Sequence, residues 1–220
     1  MIKLTAQNKE QISKAVTEAE KSTSGEIAVV VAKQSSDYAV YELTFAVIIG
    51  LIFMILGLIF YSEIDTMIMN MIWSSSKIIT TSVIGLGTFV VIILFYILAN
   101  IPFIDRLIIP KSIKNEKVRE KAQLSFMNYE VGKTRDRTGI LIFISKLERR
   151  VEILADVGIS AVYPHDSWQK QVDRIIAGIK NKQFSEELEK VILDLGQVLA
   201  KNFPIKDDNT NELPNKVREI

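Results

Sequence analysis

The chain has 220 residues with 27 Lys and Arg against 26 Asp and Glu, a formal net charge of +1, and no cysteine. These values exclude a disulfide-stabilised scaffold, thiol catalysis and zinc–thiolate sites, and they give no broad electrostatic case for binding nucleic acid. The single histidine, His165, also excludes a metal site built from several imidazoles.

The first predicted element is an amphipathic helix over about Thr5 to Lys21, because apolar residues recur at helical spacing and Thr5 is a suitable N-cap. After a short polar break, Glu26 to Lys33 is a β-branched run with apolar residues on both faces. Such a run predicts a central strand that is covered on both sides. Residues 1–42 contain no second strand, so its partner must come from later in the chain.

Residues 43–104 contain only three charged side chains and predict a transmembrane hairpin. Residues 43–62 are uncharged over 20 positions and residues 78–104 over 27, while about 20 helical residues cross a bilayer core. Because Pro102 ends the second helix, the predicted spans are about 43–62 and 78–101. A buried hairpin of a soluble protein is the alternative, but soluble core helices rarely exceed about 14 continuous apolar residues.

Basic residues determine the predicted orientation of this hairpin. The loop between the spans has Lys77 alone, whereas Lys21 and Lys33 precede the first span and a basic run follows the second. That run contains Arg106, Lys111, Lys114, Lys117, Arg119 and Lys121. The positive-inside rule therefore predicts an integral protein of a bacterial-type inner membrane, with both termini and the soluble domain in the cytoplasm. The apolar MIMNMIW segment is expected to lie on the outer membrane interface.

Two strands and three helices are predicted beyond the hairpin. Gly139 to Ser145 and Val151 to Asp156 are apolar runs joined by a polar turn, which predicts an antiparallel pair. Helical spacing indicates helices around residues 118–129, 168–179 and 188–199, the last with Ser185 as its N-cap.

Together these elements predict an α/β fold with a mixed β-sheet flanked by helices on both faces, interrupted by a two-helix transmembrane hairpin. Residues 1–42 would form the first part of one domain and residues 105–203 the remainder. The polar tail, residues 204–220, is expected to be loosely held.

Three acidic residues are expected at one edge of this sheet. If the strand at Glu26 runs parallel to the strand at Gly139, both begin at the same edge, and the antiparallel return strand ends there at Asp156. Glu26, Asp136 and Asp156 would then converge, and such carboxylates suit Ca²⁺ or Mg²⁺ holding a phosphate. The alternative is that Arg135 and Arg137 neutralise these acids in a surface ion-pair network.

An ordered set of motifs resembles the TPM domain, found in thylakoid lumen, bacterial envelope and animal receptor-associated proteins. The motifs are Thr23-x-Gly25-Glu26-Ile27, Thr138-Gly139-Ile140-Leu141-Ile142, Glu148-Arg149-Arg150-Val151-x-Ile153 and Asp156-x-Gly158. The resemblance covers about residues 22–33 and 118–203 and implies a mixed sheet flanked by helices. It also implies a role in the assembly or repair of membrane complexes, or, as in some plant members, acid phosphatase activity.

The predicted function is that of an accessory or scaffold factor for membrane protein complexes, anchored in the lipid bilayer. The enzymatic alternative is a metal-assisted phosphatase with Glu26, Asp136 and Asp156 around the ion. A third interpretation is contact with anionic lipids through the basic run after the second span, at about 1 kcal/mol per side chain.

Overall fold

The computed structural model describes residues 4–72 and 77–220, apart from the side chains of Pro102 and His165. It divides into two compact units, Met1–Ser36 with Lys111–Ile220 and Asp37–Pro110. The elements in chain order are α1 Ala6–Glu20, β1 Glu26–Ala32, α2 Ala39–Ile59, α3 Tyr61–Ile72, α4 Lys77–Ala99, α5 Pro102–Ile108, α6 Lys111–Asn128, a 3₁₀ turn Val131–Lys133, β2 Gly139–Ser145, β3 Arg150–Ala155, α7 Val157–Ser160, α8 His165–Lys180, α9 Phe184–Asn202 and β4 Arg218–Glu219.

The four strands form one mixed sheet in the order β3-β2-β1-β4. β1 and β2 are parallel, with Glu26 opposite Gly139, and β3 returns antiparallel to β2. Every residue of β1 and β2 is buried. The predicted central strand and the predicted antiparallel pair are therefore confirmed.

Helices cover both faces of this sheet because successive side chains of the two central strands point to opposite sides. One face of β1 and β2 packs with the buried residues of α1 and α9, and the other packs with Val118 and Ala122 of α6. Thr5 caps α1 as predicted: its hydroxyl accepts a hydrogen bond from the Asn8 backbone N–H at 3.2 Å. The mixed α/β fold with helices on both faces is confirmed.

The prediction of a loosely held tail is wrong. β4 pairs parallel with β1 at Val30 and Val31, and the Lys33 N–H donates to the Ile220 carbonyl at 2.8 Å. Leu213 is buried against the same face of the sheet as α6. The physical reason is that β1 has a second edge whose backbone groups need partners, and the tail supplies them.

The predicted cap of α9 is also wrong. The helix begins at Phe184, so Ser185 lies within its first turn rather than before it. The Ser185 hydroxyl instead accepts a hydrogen bond from Asn8 Nδ2 at 2.6 Å. Gln183 occupies the N-cap position and makes no capping hydrogen bond through its side chain. The first turn of α9 is therefore left without a side-chain cap.

The second unit consists of two long apolar helices, α2 and α4, with the shorter α3 and α5. Small residues lie where α2 and α4 meet: a Cβ on Gly50 would come 2.3 Å from Cγ1 of Ile92, and one on Gly57 would come 2.9 Å from Cγ2 of Ile84. This close backbone approach is typical of helix pairs in membranes. The mean hydropathies of α2 and α4 are 2.6 and 2.5, so both are long and apolar enough to cross a bilayer.

The segment between the two apolar helices is partly helical. α3 covers Tyr61–Ile72, and Asp65 accepts a hydrogen bond from the Thr80 hydroxyl of α4 at 2.5 Å. Residues 73–76, including the end of the MIMNMIW segment, lie outside the described residues. The placement of this segment on a membrane interface stays a prediction.

Candidate functional site

The fold brings the three predicted acidic residues to one end of the sheet. Glu26 begins β1 opposite Gly139, and the Asp156 N–H donates to the Gly139 carbonyl at 2.9 Å. Asp136 lies three residues before Gly139 in the loop that leads into β2. The partners of each carboxylate decide what this edge can do.

Glu26 is bound by the C-terminal tail. Its side chain is buried, and its two carboxylate oxygens accept hydrogen bonds from the backbone N–H groups of Glu212 at 3.2 Å and Leu213 at 3.3 Å. Burial raises the pKa of Glu26, and these two hydrogen bonds oppose that rise. Glu26 therefore holds the tail against the start of β1.

Asp136 and Asp156 form ion pairs with separate cations. Lys206 Nζ lies 2.7 Å from the Asp136 carboxylate, and this hydrogen bond lowers the pKa of Asp136. Arg137 Nε lies 2.9 Å from Oδ2 of Asp156, while Oδ1 of Asp156 accepts from the Val157 N–H at 2.7 Å and caps α7.

Within the described parts of the chain, no three His, Asp or Glu side chains are grouped so that they could hold a metal ion. Arg135, the second arginine expected to neutralise the acids, pairs instead with Asp208 of the tail at 2.8 Å. This geometry favours the ion-pair interpretation of the acidic edge. A Ca²⁺ or Mg²⁺ site at Glu26, Asp136 and Asp156 stays a prediction.

We expect Ca²⁺ and Mg²⁺ to leave the melting temperature of the detergent-solubilised protein unchanged, because these carboxylates already have partners within the chain. Asp156→Asn is expected to lower the melting temperature slightly in the presence and absence of either ion, since the exposed Arg137 stays solvated and the amide oxygen can still accept from the Val157 N–H. A stable metal site predicts the opposite: excess ion at about 100 times its dissociation constant would add about 2.7 kcal/mol of stability. Ion-dependent stabilisation that Asp156→Asn abolishes, with ion-dependent hydrolysis of a phosphomonoester, would support the phosphatase alternative.

A fourth acidic residue at this edge was missed by the sequence analysis. Oε1 of Glu20 accepts from the Ile27 N–H at 2.9 Å, and Oε2 accepts from Nδ2 of Asn215 at 2.7 Å. Burial, followed by the charge of Glu26, raises the pKa of Glu20 to about 8. A signal existed, because Glu20 lies four residues after the buried Val16 on the apolar face of α1.

The raised pKa of Glu20 predicts a pH-dependent stability. Because the folded pKa of about 8 exceeds the ordinary value of 4.5, the folded state binds more protons than the unfolded state between these values. The free energy of unfolding should therefore fall as pH rises from about 5 to 8. Thermal melts at pH 5, 6.5 and 8 should show a smaller fall for Glu20→Gln than for the wild type. The exposed neighbour Glu18 offers the control Glu18→Gln, and equal slopes for all three proteins would contradict the assignment.

The fold and the acidic edge of the sheet define a class of protein. It is a mixed α/β domain with acidic residues at the start of its central strands, and an apolar helical hairpin interrupts its chain. Residues 106–198 match the family model of the TPM domain. The resemblance found in the sequence is confirmed over this range. The matched range omits α1 and β1, although β1 is a central strand of the sheet.

A solved structure shares this fold. The chain is 22% identical to the BA42 protein of the psychrophilic bacterium Bizionia argentinensis, known from its NMR structure, with a TM-score of 0.56. The similarity covers 98% of this chain and 94% of BA42. None of the curated proteins compared with the chain matches it.

Proposed function

We propose that this chain is a membrane-anchored TPM-domain protein that acts as an accessory or scaffold factor for membrane protein complexes. The observation that carries the proposal is the surface of the apolar hairpin. Large apolar side chains cover the outer faces of α2 and α4, among them Ile59, Leu86 and Phe89 at 66%, 68% and 69% exposure. A contiguous apolar surface of this kind is unfavourable in water and suits lipid acyl chains.

The state of the acidic edge supports a binding role over catalysis. Glu26, Asp136 and Asp156 are each engaged by groups of the chain itself. A general acid or metal ligand needs access to its substrate or ion, and these partners occupy that access. The protein would then act through its surfaces and through its position at the bilayer.

The membrane topology is tested by thiol labelling, because the chain has no cysteine. Met71→Cys lies in α3 at an 83% exposed position, and Lys201→Cys lies at the exposed end of α9. With both termini in the cytoplasm, an impermeant maleimide on intact cells should label the first variant and leave the second unlabelled until lysis. Labelling of Lys201→Cys on intact cells would overturn the orientation, and recovery of the protein in the alkaline-carbonate supernatant would overturn the anchor.

The scaffold role is tested by purification from native membranes in a mild detergent. We expect a membrane protein to co-purify with the full chain in a stoichiometric amount. This partner should no longer co-purify with a variant that keeps the hairpin but lacks the folded domain. Recovery of the full chain alone, at several detergent concentrations, would contradict the role in a complex.

A further inference from the structure

A half-open groove of about 700 Å³ lies at the end of the sheet opposite the acidic edge. It is formed by the start of α1, the turn between β2 and β3, and the connection between α8 and α9. The turn lies directly beyond the last residues of β1, because the Lys146 N–H donates to the Ala32 carbonyl at 3.0 Å. The groove is thus separated from the acidic residues by the length of the central strands.

The lining of this groove is cationic. Arg149, Lys180 and Lys182 line it, against the single carboxylate of Glu186. Among the described residues, no acidic side chain lies within ion-pair distance of any of these three cations. Their positive charge is therefore available to a ligand rather than neutralised within the fold.

The start of α9, which has no side-chain cap, also lines the groove. The N-cap residue Gln183 makes no side-chain hydrogen bond to the first turn. The first N–H groups of a helix have no acceptor within the helix, and together they favour an anion. Polar side chains of Thr5, Asn8 and Gln11 also line the groove. Three cations and the start of a helix thus line one cavity.

Two of the three cations occupy backbone positions that usually favour glycine. Arg149 has φ of 53° and Lys182 has φ of 63°. Lys182 ends α8 in a Schellman arrangement, in which the Gln183 N–H donates to the Gly178 carbonyl at 2.8 Å. Glycine at either position keeps the backbone conformation without the cost of a Cβ, so the charge can be removed without harm to the fold.

We propose that this groove binds a phosphate-bearing anion and that the anion is the headgroup of an acidic membrane lipid. The lipid assignment rests on the proposed membrane anchor. The Ser35 N–H donates to Glu148 at 2.9 Å, one residue before Arg149, and α2 begins only four residues after Ser35. An extended chain of that length spans about 14 Å at most, so the proposed anchor tethers this end of the domain to the bilayer through a short connection.

The test uses the full chain in a neutral detergent and measures binding by calorimetry. The probes are dioctanoyl phosphatidic acid, dioctanoyl phosphatidylcholine and inorganic phosphate. The test variant is Arg149→Gly with Lys182→Gly, which removes two charges where glycine fits the backbone. The control is Lys170→Gln with Lys201→Gln, which removes two exposed charges of α8 and α9 outside the groove.

We expect the wild type and the control to bind phosphatidic acid with dissociation constants within twofold of each other, and to bind phosphatidylcholine at least tenfold more weakly. The test variant should melt at or above the wild-type temperature and bind phosphatidic acid at least tenfold more weakly. Unchanged affinity of the test variant for phosphatidic acid would overturn the proposal that this groove binds a phosphate-bearing anion. The absence of binding of either phosphate probe by the wild type would do the same. Inorganic phosphate bound as tightly as phosphatidic acid would overturn the lipid assignment.

These results are separable from the proposed function. Failure of the membrane anchor appears in carbonate extraction and thiol labelling. A failed anchor does not change the result that the wild type binds inorganic phosphate more tightly than the glycine variant. If the groove proposal is wrong, the two proteins bind inorganic phosphate equally, while the chain remains in the membrane fraction.

Discussion

Val30→Asp is expected to unfold the sheet-containing unit, including the part of it that follows the hairpin. Val30 is fully buried in β1, where it lies beside Phe143 of β2 and packs with Val118 of α6. An unpaired carboxylate at such a position costs several kcal/mol, which approaches the total stability of about 5–15 kcal/mol of a typical domain. Limited proteolysis in detergent should then cut rapidly within residues 111–220.

Leu124→Asp is the matched control for this change. Leu124 lies on α6 and is 50% exposed, so the same substitution places its carboxylate in solvent. We expect the wild-type cleavage pattern for this variant. Protection of residues 111–220 that survives Val30→Asp would show that the segment before the hairpin is not part of the same folded unit.

Gly139→Ala is expected to destabilise the unit by about 3 kcal/mol. An added Cβ would lie 2.0 Å from the Val131 carbonyl oxygen, a backbone atom that moves only if the 3₁₀ turn separates from β2. Overpacking of this kind typically costs about 1–3 kcal/mol and occasionally more, and a backbone clash falls at the upper end. The measurement is the melting temperature of the full chain in detergent.

Gly132→Ala tests whether the effect comes from the backbone contact rather than from loss of any glycine. Its added Cβ would lie 2.7 Å from Cε1 of Phe126, an aromatic ring edge that can rotate away. We expect a clearly smaller loss than for Gly139→Ala. Equal losses for the two variants would contradict the close packing of the 3₁₀ turn on β2.

The two ends of the sheet differ in how many of their charged side chains are paired within the protein. At the acidic end, the tail supplies Lys206 to Asp136 and backbone donors to Glu26. At the opposite end, Arg149, Lys180 and Lys182 line a groove, and none of the described acidic side chains forms an ion pair with them. Charge that the fold leaves uncompensated is the property expected of a surface that meets an external anion.

Long elements with a regular apolar pattern were predictable from the sequence. The helix capped by Thr5, the buried strand starting at Glu26 and the two apolar helices each carry a local signal over many residues, so neighbouring positions reinforce one another. A mixed sheet also followed, because a fully buried strand needs partners on its edges and a helix before β2 suits a crossover. The parallel pairing of β1 with β2 was a condition of the predicted acidic edge, and the structure meets it.

Short or polar features were not predictable in the same way. β4 has two residues, and nothing in the local pattern of Arg218 and Glu219 distinguishes them from a solvated tail. Ser185 has the right residue type for a cap, but its place within α9 depends on Asn8, 177 positions away in the chain. Such contacts depend on which segments meet in three dimensions rather than on periodicity.

By itself, the sequence determined a mixed α/β domain interrupted by a hairpin apolar enough to span a bilayer. Composition and periodicity are local quantities, and they are sufficient for that conclusion, while the resemblance to the TPM domain rests on the ordered motifs. Only the tertiary structure decided the state of the candidate sites. Whether Glu26 and Asp156 are open to an ion, and whether Arg149 and Lys182 face one groove, depends on the partners that distant segments bring, because charge compensation is set by distances of a few ångströms across the fold.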